Sequence, residues 1–216
     1  MVTGGTSGIG REFVTQLAAR GDDIVIVARD TERMAAIKAD VEARYGVSVE
    51  TIAADLSRRE DVDQITTRVE DPNHPVDLLV NNAGFAVHAK ILDPEALELH
   101  DRAVEVMMRA VLVLSAAAGR AMKARGHGAI LNLSSSSAWI NTGNYSAIKR
   151  GYSPSPRACP TSWPAPASRP WRCARDGYTP NSTHAPTSPP TICRTFSGST
   201  PKSWYARLST TLTMTR

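Results

Sequence analysis

Tyr145 and Lys149 stand four residues apart, so on a helix a phenol and a primary amine share one face. Taken alone, such a pair is more often a packing or solvated contact than a site. A second cluster opens the chain. Thr3-Gly4-Gly5-Thr6-Ser7-Gly8-Ile9-Gly10 separates a short apolar stub from a helical pattern. Glycines at 4, 8 and 10 permit a tight turn whose backbone N–H groups, with the dipole of the following helix, would attract a pyrophosphate. A purely structural loop is the competing reading. Asn81-Asn82-Ala83-Gly84 follows the aliphatic run 76–80, at the edge where an open α/β sheet binds its ligands; in isolation it reads as a turn. The serine run Ser134 to Ser137 follows Ile130-Leu131-Asn132-Leu133, and one of its hydroxyls could reach the same pocket. No metal site is expected.

These residues need elements to hold them. Residues 24–27, 47–54, 76–80 and 129–133 are short aliphatic runs alternating with helical patterns, the signature of a parallel sheet. Phe13, Val14 and Leu17 share one helical face. Met34, Ile37 and Val41 repeat the pattern after Thr31 as the expected N-cap, with Gly46 as the stop. Ser57 to Glu60 reads as a capping box ahead of Val62, Ile65 and Val69. Asp93-Pro94 opens a long helical region that runs with breaks to about Arg125. The order implies a doubly wound, Rossmann-type α/β domain over residues 1–152. It is expected to be incomplete at both ends, with only Met1 and Val2 for a first strand and no further strand or amphipathic helix after Tyr152.

Taken together, the Thr-Gly-x3-Gly-x-Gly loop, Asp55-Leu56, Asn81 to Gly84, a serine after the next strand and Tyr145-x3-Lys149 resemble the short-chain dehydrogenase/reductase family over residues 1 to about 152. The resemblance implies an NAD(P)-dependent oxidoreductase acting on a small carbonyl or alcohol. Tyr145 would be the general acid/base, and Lys149 would lower the phenol's pKa from about 10 and hold the nicotinamide ribose. Ser135 would orient the substrate oxygen, with Ser134 and Ser136 as alternatives because Ser135 lies closer to Tyr145 than the family spacing. The cofactor would rest on Gly4, Thr6, Ser7, Gly8, Ile9 and Gly10. Asp55 and Leu56 would meet the adenine, and Asn82, Ala83 and Gly84 would flank the adenosine ribose and the nicotinamide side. Met107 occupies the helix position of the family's asparagine, and a thioether lacks that amide's donor and acceptor.

The end of the second strand carries the cofactor choice. Asp30, about twenty residues past the glycine loop, would suit the ribose hydroxyls of NAD, with an ordinary helix cap as its competing reading. NAD-preferring relatives place their acid where this chain has Ala28, and Arg29 could pair with a 2′-phosphate. NADP is therefore expected, with NAD as the alternative.

Composition limits the rest. The 216 residues are 42% hydrophobic with net charge +4, but that average joins two unlike pieces. Residues 1–152 hold 17 Lys+Arg and 20 Asp+Glu, whereas residues 153–216 hold 8 and 1. The latter carry 11 of the 14 prolines, all 3 cysteines and only four residues from the set Val, Ile, Leu and Met. Such a segment cannot bury enough apolar area to offset an ordering cost of roughly 1–2 kcal/mol per residue, and disorder is expected. Its cations are dispersed among prolines without a helical stripe, so neither nucleic acid nor membrane is an expected partner. No run approaches the roughly 18 apolar residues of a membrane span, and a cytoplasmic location is expected. Homo-oligomers would be expected of an intact relative.

Joining the third base of each codon to the first two of the next gives a different tail. Trp204-Tyr205 then forces Val, Met214-Thr215 forces Asp and Trp163-Pro164 forces Ala. Over 201–215 the permitted codons include an amphipathic helical pattern that the actual tail lacks. A frameshift near codon 152 is the reading this supports, with a catalytically dead, dinucleotide-binding remnant as the alternative to an active enzyme. Restoring the alternative frame after Tyr152 is expected to yield soluble, cofactor-binding protein from a poorly stable parent. Well-protected amides through 153–216 of the unaltered chain, measured by hydrogen exchange, would count against it.

Overall fold

A computed structural model describes residues 1–140 and 143–151. The expected boundary at 152 and the disorder expected over 153–216 lie outside the described residues. Five parallel strands are β1 (Val2–Thr3), β2 (Ile24–Ala28), β3 (Val49–Ala53), β4 (Leu78–Asn81) and β5 (Ala129–Asn132). Helices α1 (Gly8–Ala19), α2 (Thr31–Tyr45) and α3 (Arg59–Glu70) connect the first four. Between β4 and β5 the chain runs through a 3-10 turn (Pro94–Ala96), α4 (Leu97–Val104), a π-helical turn (Glu105–Arg109) and α5 (Ala110–Arg125). After β5 come a 3-10 turn (Ser136–Trp139) and α6 (Asn144–Gly151). The strand order is β3-β2-β1-β4-β5, so the winding reverses between β1 and β4, the crevice where such sheets bind ligands. The expected doubly wound α/β fold is present.

Alternation along β2 shows why one strand builds two cores. Ile24 and Ile26 join Val14, Leu17, Met34, Ile37 and Val41 under α1 and α2. Val25 and Val27 face the other way, toward Ile65, Val69 and Leu114 of α3 and α5. The strand is apolar on both faces because both are covered. A polar exception ties the sheet's other half together: Asn81 Nδ2 donates to Asn132 Oδ1 at 2.8 Å and to Ser115 Oγ at 3.1 Å, with Asn81 and Asn132 in register on β4 and β5.

Two expected caps are corrected. The residue capping α2 is Asp30, not Thr31: its Oδ1 accepts from Arg33 N at 2.9 Å. Asp30 thus takes the cap role that competed with a ribose contact. The Ser57–Glu60 capping box does not form. Ser57 donates both its N–H and its hydroxyl to Asp55 Oδ1, at 3.0 and 2.7 Å, and α3 starts after Arg58 without a side-chain cap. An aspartate two residues upstream outcompetes the box by closing its own turn. Gly46 ends α2 as expected, at φ +68° with its N–H on Glu42 O. Among the described residues, no helix is long and apolar enough to cross a membrane.

The brevity of β1 has an electrostatic consequence. The Met1 amino group sits inside the sheet and donates to Leu78 O at 2.7 Å. Burial, reinforced by the nearby Arg68 charge, lowers its pKa from 8.0 to about 5. With a free amino group at Met1, the unfolded chain binds more protons than the folded one between pH 5 and 8, so this group makes stability rise with pH across that window and adds no slope outside it. The expected size is on the order of 4 kcal/mol. Urea unfolding at pH 5.5 and pH 8, with and without N-terminal acetylation, measures it; an equal difference in both forms would remove the amine as the cause.

Candidate active site

Thr3, the last residue of β1, organises the carboxyl edge of the sheet. Its hydroxyl accepts from the N–H groups of Asn82 and Ala83 at 3.0 and 3.1 Å and lies 3.3 Å from Val80 O. Asn82 returns the link, donating from Nδ2 to Thr3 O at 3.0 Å and to Gly4 O at 3.1 Å. The glycine loop is thereby fastened to the segment after β4. A Cβ on Gly10 would lie 2.2 Å from Gly4 O and 2.4 Å from Asn82 Nδ2, so only glycine lets α1 approach this closely. Gly4 and Gly8 have φ of +66° and +50°, and open space surrounds Gly8. Ser7 precedes α1 without a side-chain cap bond, which leaves the first-turn N–H groups available to an anion.

Above this loop lies a cleft of about 780 Å³. The structure brings into it Gly4, Thr6, Ser7, Gly8 and Ile9 from the loop, Arg29 from the end of β2, Asp55 and Leu56 from the end of β3, and Asn82, Ala83 and Gly84 after β4. Eleven of the expected cofactor residues therefore share one wall, and Gly10 lies beneath it. Asp30 also lines the cleft. Arg33 and Arg102 line it too and were not expected. Arg33 lies four residues beyond Arg29, in the first turn of α2. Arg102 comes from α4, and no spacing signals its approach.

The Asp55 carboxylate is held from several sides. Beyond the Ser57 bonds, Arg102 Nη2 donates to Oδ2 at 2.7 Å. Desolvation pushes its pKa upward, but the Ser57 hydrogen bonds and the charges of Arg102 and Arg29 outweigh that, keeping it below the ordinary value and ionised. Arg29, by contrast, makes no hydrogen bond or ion pair among the described residues and leaves its guanidinium open to the cleft. Arg33 is drawn toward Asp30, 3.7 Å away.

Tyr145 and Lys149 do share a face of α6, with the ammonium 5.9 Å from the ring centroid. They are not on the cleft wall itself, but Lys149 reaches its Gly84 end: Nζ is 3.4 Å from where a Gly84 Cβ would stand. Burial lowers the Lys149 pKa, and its Nζ donates to Leu133 O at 3.4 Å. Among the serines, Ser134 spends its hydroxyl on Lys149 O at 3.2 Å, pinning α6 to β5. Ser136 is exposed. Ser135 caps the 3-10 turn by accepting from Ser137 N at 3.2 Å, which leaves its own O–H free to donate. Met107 lies in the π-helical turn, 4% exposed, with Sδ 3.0 Å from the Gly84 Cβ position. It fills with apolar volume the space beside Lys149.

The family model for short chain dehydrogenases matches residues 1–154. A short chain dehydrogenase of Pseudocercospora fijiensis is 35% identical over 136 residues, covering 62% of this chain and 44% of that protein. A very-long-chain 3-oxoacyl-CoA reductase of Debaryomyces hansenii is 37% identical over 103 residues, 47% of this chain and 30% of its own length. Among solved structures, a short-chain dehydrogenase from Sphingobium yanoikuyae in complex with NADPH is similar at a TM-score of 0.66 and 33% identity, covering 69% of this chain and 59% of that one. The L-sorbose reductase of Gluconobacter frateurii, complexed with NADPH and L-sorbose, gives 0.64 and 30%, covering 69% and 58%. The chain thus spans under half of these curated relatives and about three fifths of these structures. With the glycine loop, the Asn82 link and the Tyr145–Lys149 helix in one arrangement, the chain belongs to the short-chain dehydrogenase family.

Proposed function

We propose that the chain binds NADP(H) in the cleft and serves a carbonyl/alcohol oxidoreduction on a small-molecule substrate in the cytoplasm. The observation that carries this reading is the placement of Lys149 beside both the Tyr145 ring and Gly84 at the end of a nucleotide-sized cleft. The residues suit the cofactor: open space at Gly8 and uncapped N–H groups at α1 fit a pyrophosphate, and the unengaged Arg29 fits a 2′-phosphate. Similar structures hold NADPH. When bound, the nicotinamide supplies or accepts the hydride. Tyr145 gives its phenolic proton to the substrate oxygen in reduction and takes it back in oxidation. Lys149, a cation beside the ring, favours the phenolate and brings the phenol nearer a useful pKa. Ser135 donates its free O–H to the same oxygen and orients it.

The short coverage of its relatives favours a second reading, a nucleotide-binding remnant without turnover. Isothermal titration and carbonyl-dependent NADPH oxidation separate the two. Under the first reading NADPH binds more tightly than NADH, Arg29→Ala erases most of that difference, and Tyr145→Phe lowers turnover by roughly 10²-fold or more while leaving binding intact. NADPH binding without oxidation of any carbonyl tried selects the remnant. Equal affinities for the two cofactors would assign the end of β2 to NAD through Asp30.

A further inference from the structure

His100 is a buried imidazole that the proposed chemistry leaves unused. It is 5% exposed and sits on α4 between two anchored surfaces. On one face of that helix Leu99 and Arg102 line the cleft, with Arg102 Nη2 on Asp55 Oδ2 at 2.7 Å. On another, His100 Nδ1 lies 3.1 Å from Nδ2 of Asn144, the first residue of α6. The second ring nitrogen, Nε2, is buried without a hydrogen-bond partner among the described residues. A leucine would fill this space with no unmet polar atom, so packing alone does not call for an imidazole. What the ring supplies is one directional contact with the start of the helix that carries Tyr145 and Lys149.

Resting on the NADP(H) reading, we propose that His100 is a positioning residue for the Tyr145–Lys149 pair, holding the entry of α6 against α4 through Asn144. The helix has eight residues, too few to be stable apart from its packing, so its neighbours set its placement. Asn144 and Ile148 are four residues apart and share one stripe of α6; Tyr145 and Lys149 form the adjoining stripe, one residue further round. Ile148 is 1% exposed in the core, and Asn144 meets His100 one turn earlier. Two points on that stripe fix the rotation of the helix about its axis, and that rotation aims the phenol and the ammonium. With the Asn144 contact gone, Ile148 alone holds the stripe, and both side chains turn away from Gly84 together.

Titration of the full chain with NADPH and with adenosine 2′,5′-bisphosphate tests this without relying on turnover, because the bisphosphate has no nicotinamide ribose to meet Lys149. His100→Leu is expected to weaken NADPH binding about fivefold, the size of one lost hydrogen bond, and bisphosphate binding less than about twofold. His100→Asn places an amide where Nδ1 stood, able to donate or to accept, and is expected to restore NADPH affinity to within about twofold of the unaltered chain. In a Lys149→Ala background, His100→Leu is expected to add less than about a twofold loss, because the contact acts through the aim of that ammonium. Unchanged NADPH affinity in His100→Leu overturns the proposal. So do equal losses for the two ligands in both His100 variants, failure of the asparagine to restore affinity, or an undiminished His100→Leu effect in the Lys149→Ala background. An unaltered chain that binds neither ligand overturns the NADP(H) reading, and the proposal with it.

Discussion

The hydrogen bonds between Thr3 and Asn82 are the constraint on which the rest of the site depends. They join the last residue of a two-residue central strand to the segment after β4, and Asn82 also holds Gly4 O. Each buried backbone group satisfied there would otherwise cost about 1–3 kcal/mol. Because β1 is so short, its ladder alone contributes little, and side-chain bonds fix the crevice between β1 and β4. Gly10 completes the arrangement sterically: its missing Cβ admits Gly4 O and Asn82 Nδ2 into the same space. The loop's orientation toward an anion follows from these contacts.

Helix geometry then joins the two ends of the cleft. The π-helical turn at Glu105–Arg109 interrupts the long helical region, with Arg102 on one side facing Asp55 and Met107 within it facing Gly84. On the opposite side of α4, His100 is buried and Nδ1 lies 3.1 Å from Asn144 Nδ2, at the first residue of α6. Ser134 holds the other end of α6 through Lys149 O. The helix carrying Tyr145 and Lys149 is therefore fixed by polar contacts at both ends and by Ile148 in the core.

Much of this was legible in the sequence because it is periodic or local. Aliphatic runs gave four strands to within a few residues, and the glycine positions, Asn82 and the four-residue Tyr145–Lys149 spacing are short-range signals. What was not legible depends on competition or distance. Ser57 could cap α3 or close a turn with Asp55, and sequence spacing does not decide between them. Asp30 and Thr31 are both good caps one residue apart. Arg102 reaches Asp55 across 47 positions, and no local pattern encodes that contact. The three adjacent serines likewise differ only in where their hydroxyls point, which spacing does not encode: Ser134 is taken by α6, Ser136 faces solvent, and Ser135 accepts at the 3-10 turn with its own O–H left to donate.

The two halves of the site differ in how completely this chain builds them. The cleft wall draws on four strand ends and on three helices, α1, α2 and α4. The chemical side rests on α6 and the short turn after β5, and β5 is half-buried along its whole length, paired with β4 on one edge. Anchoring of the cleft wall rests less on that outer edge, because its contacts run from β1 to β2 and β3 on one side and to Asn82 after β4 on the other. The position of α6 does depend on it, through Ser134 and the Leu133 carbonyl that faces Lys149. Loss of packing at the β5 edge would therefore disturb α6 before it disturbed the cleft wall, which is the physical ground on which the proposed enzyme and the proposed binding remnant part ways.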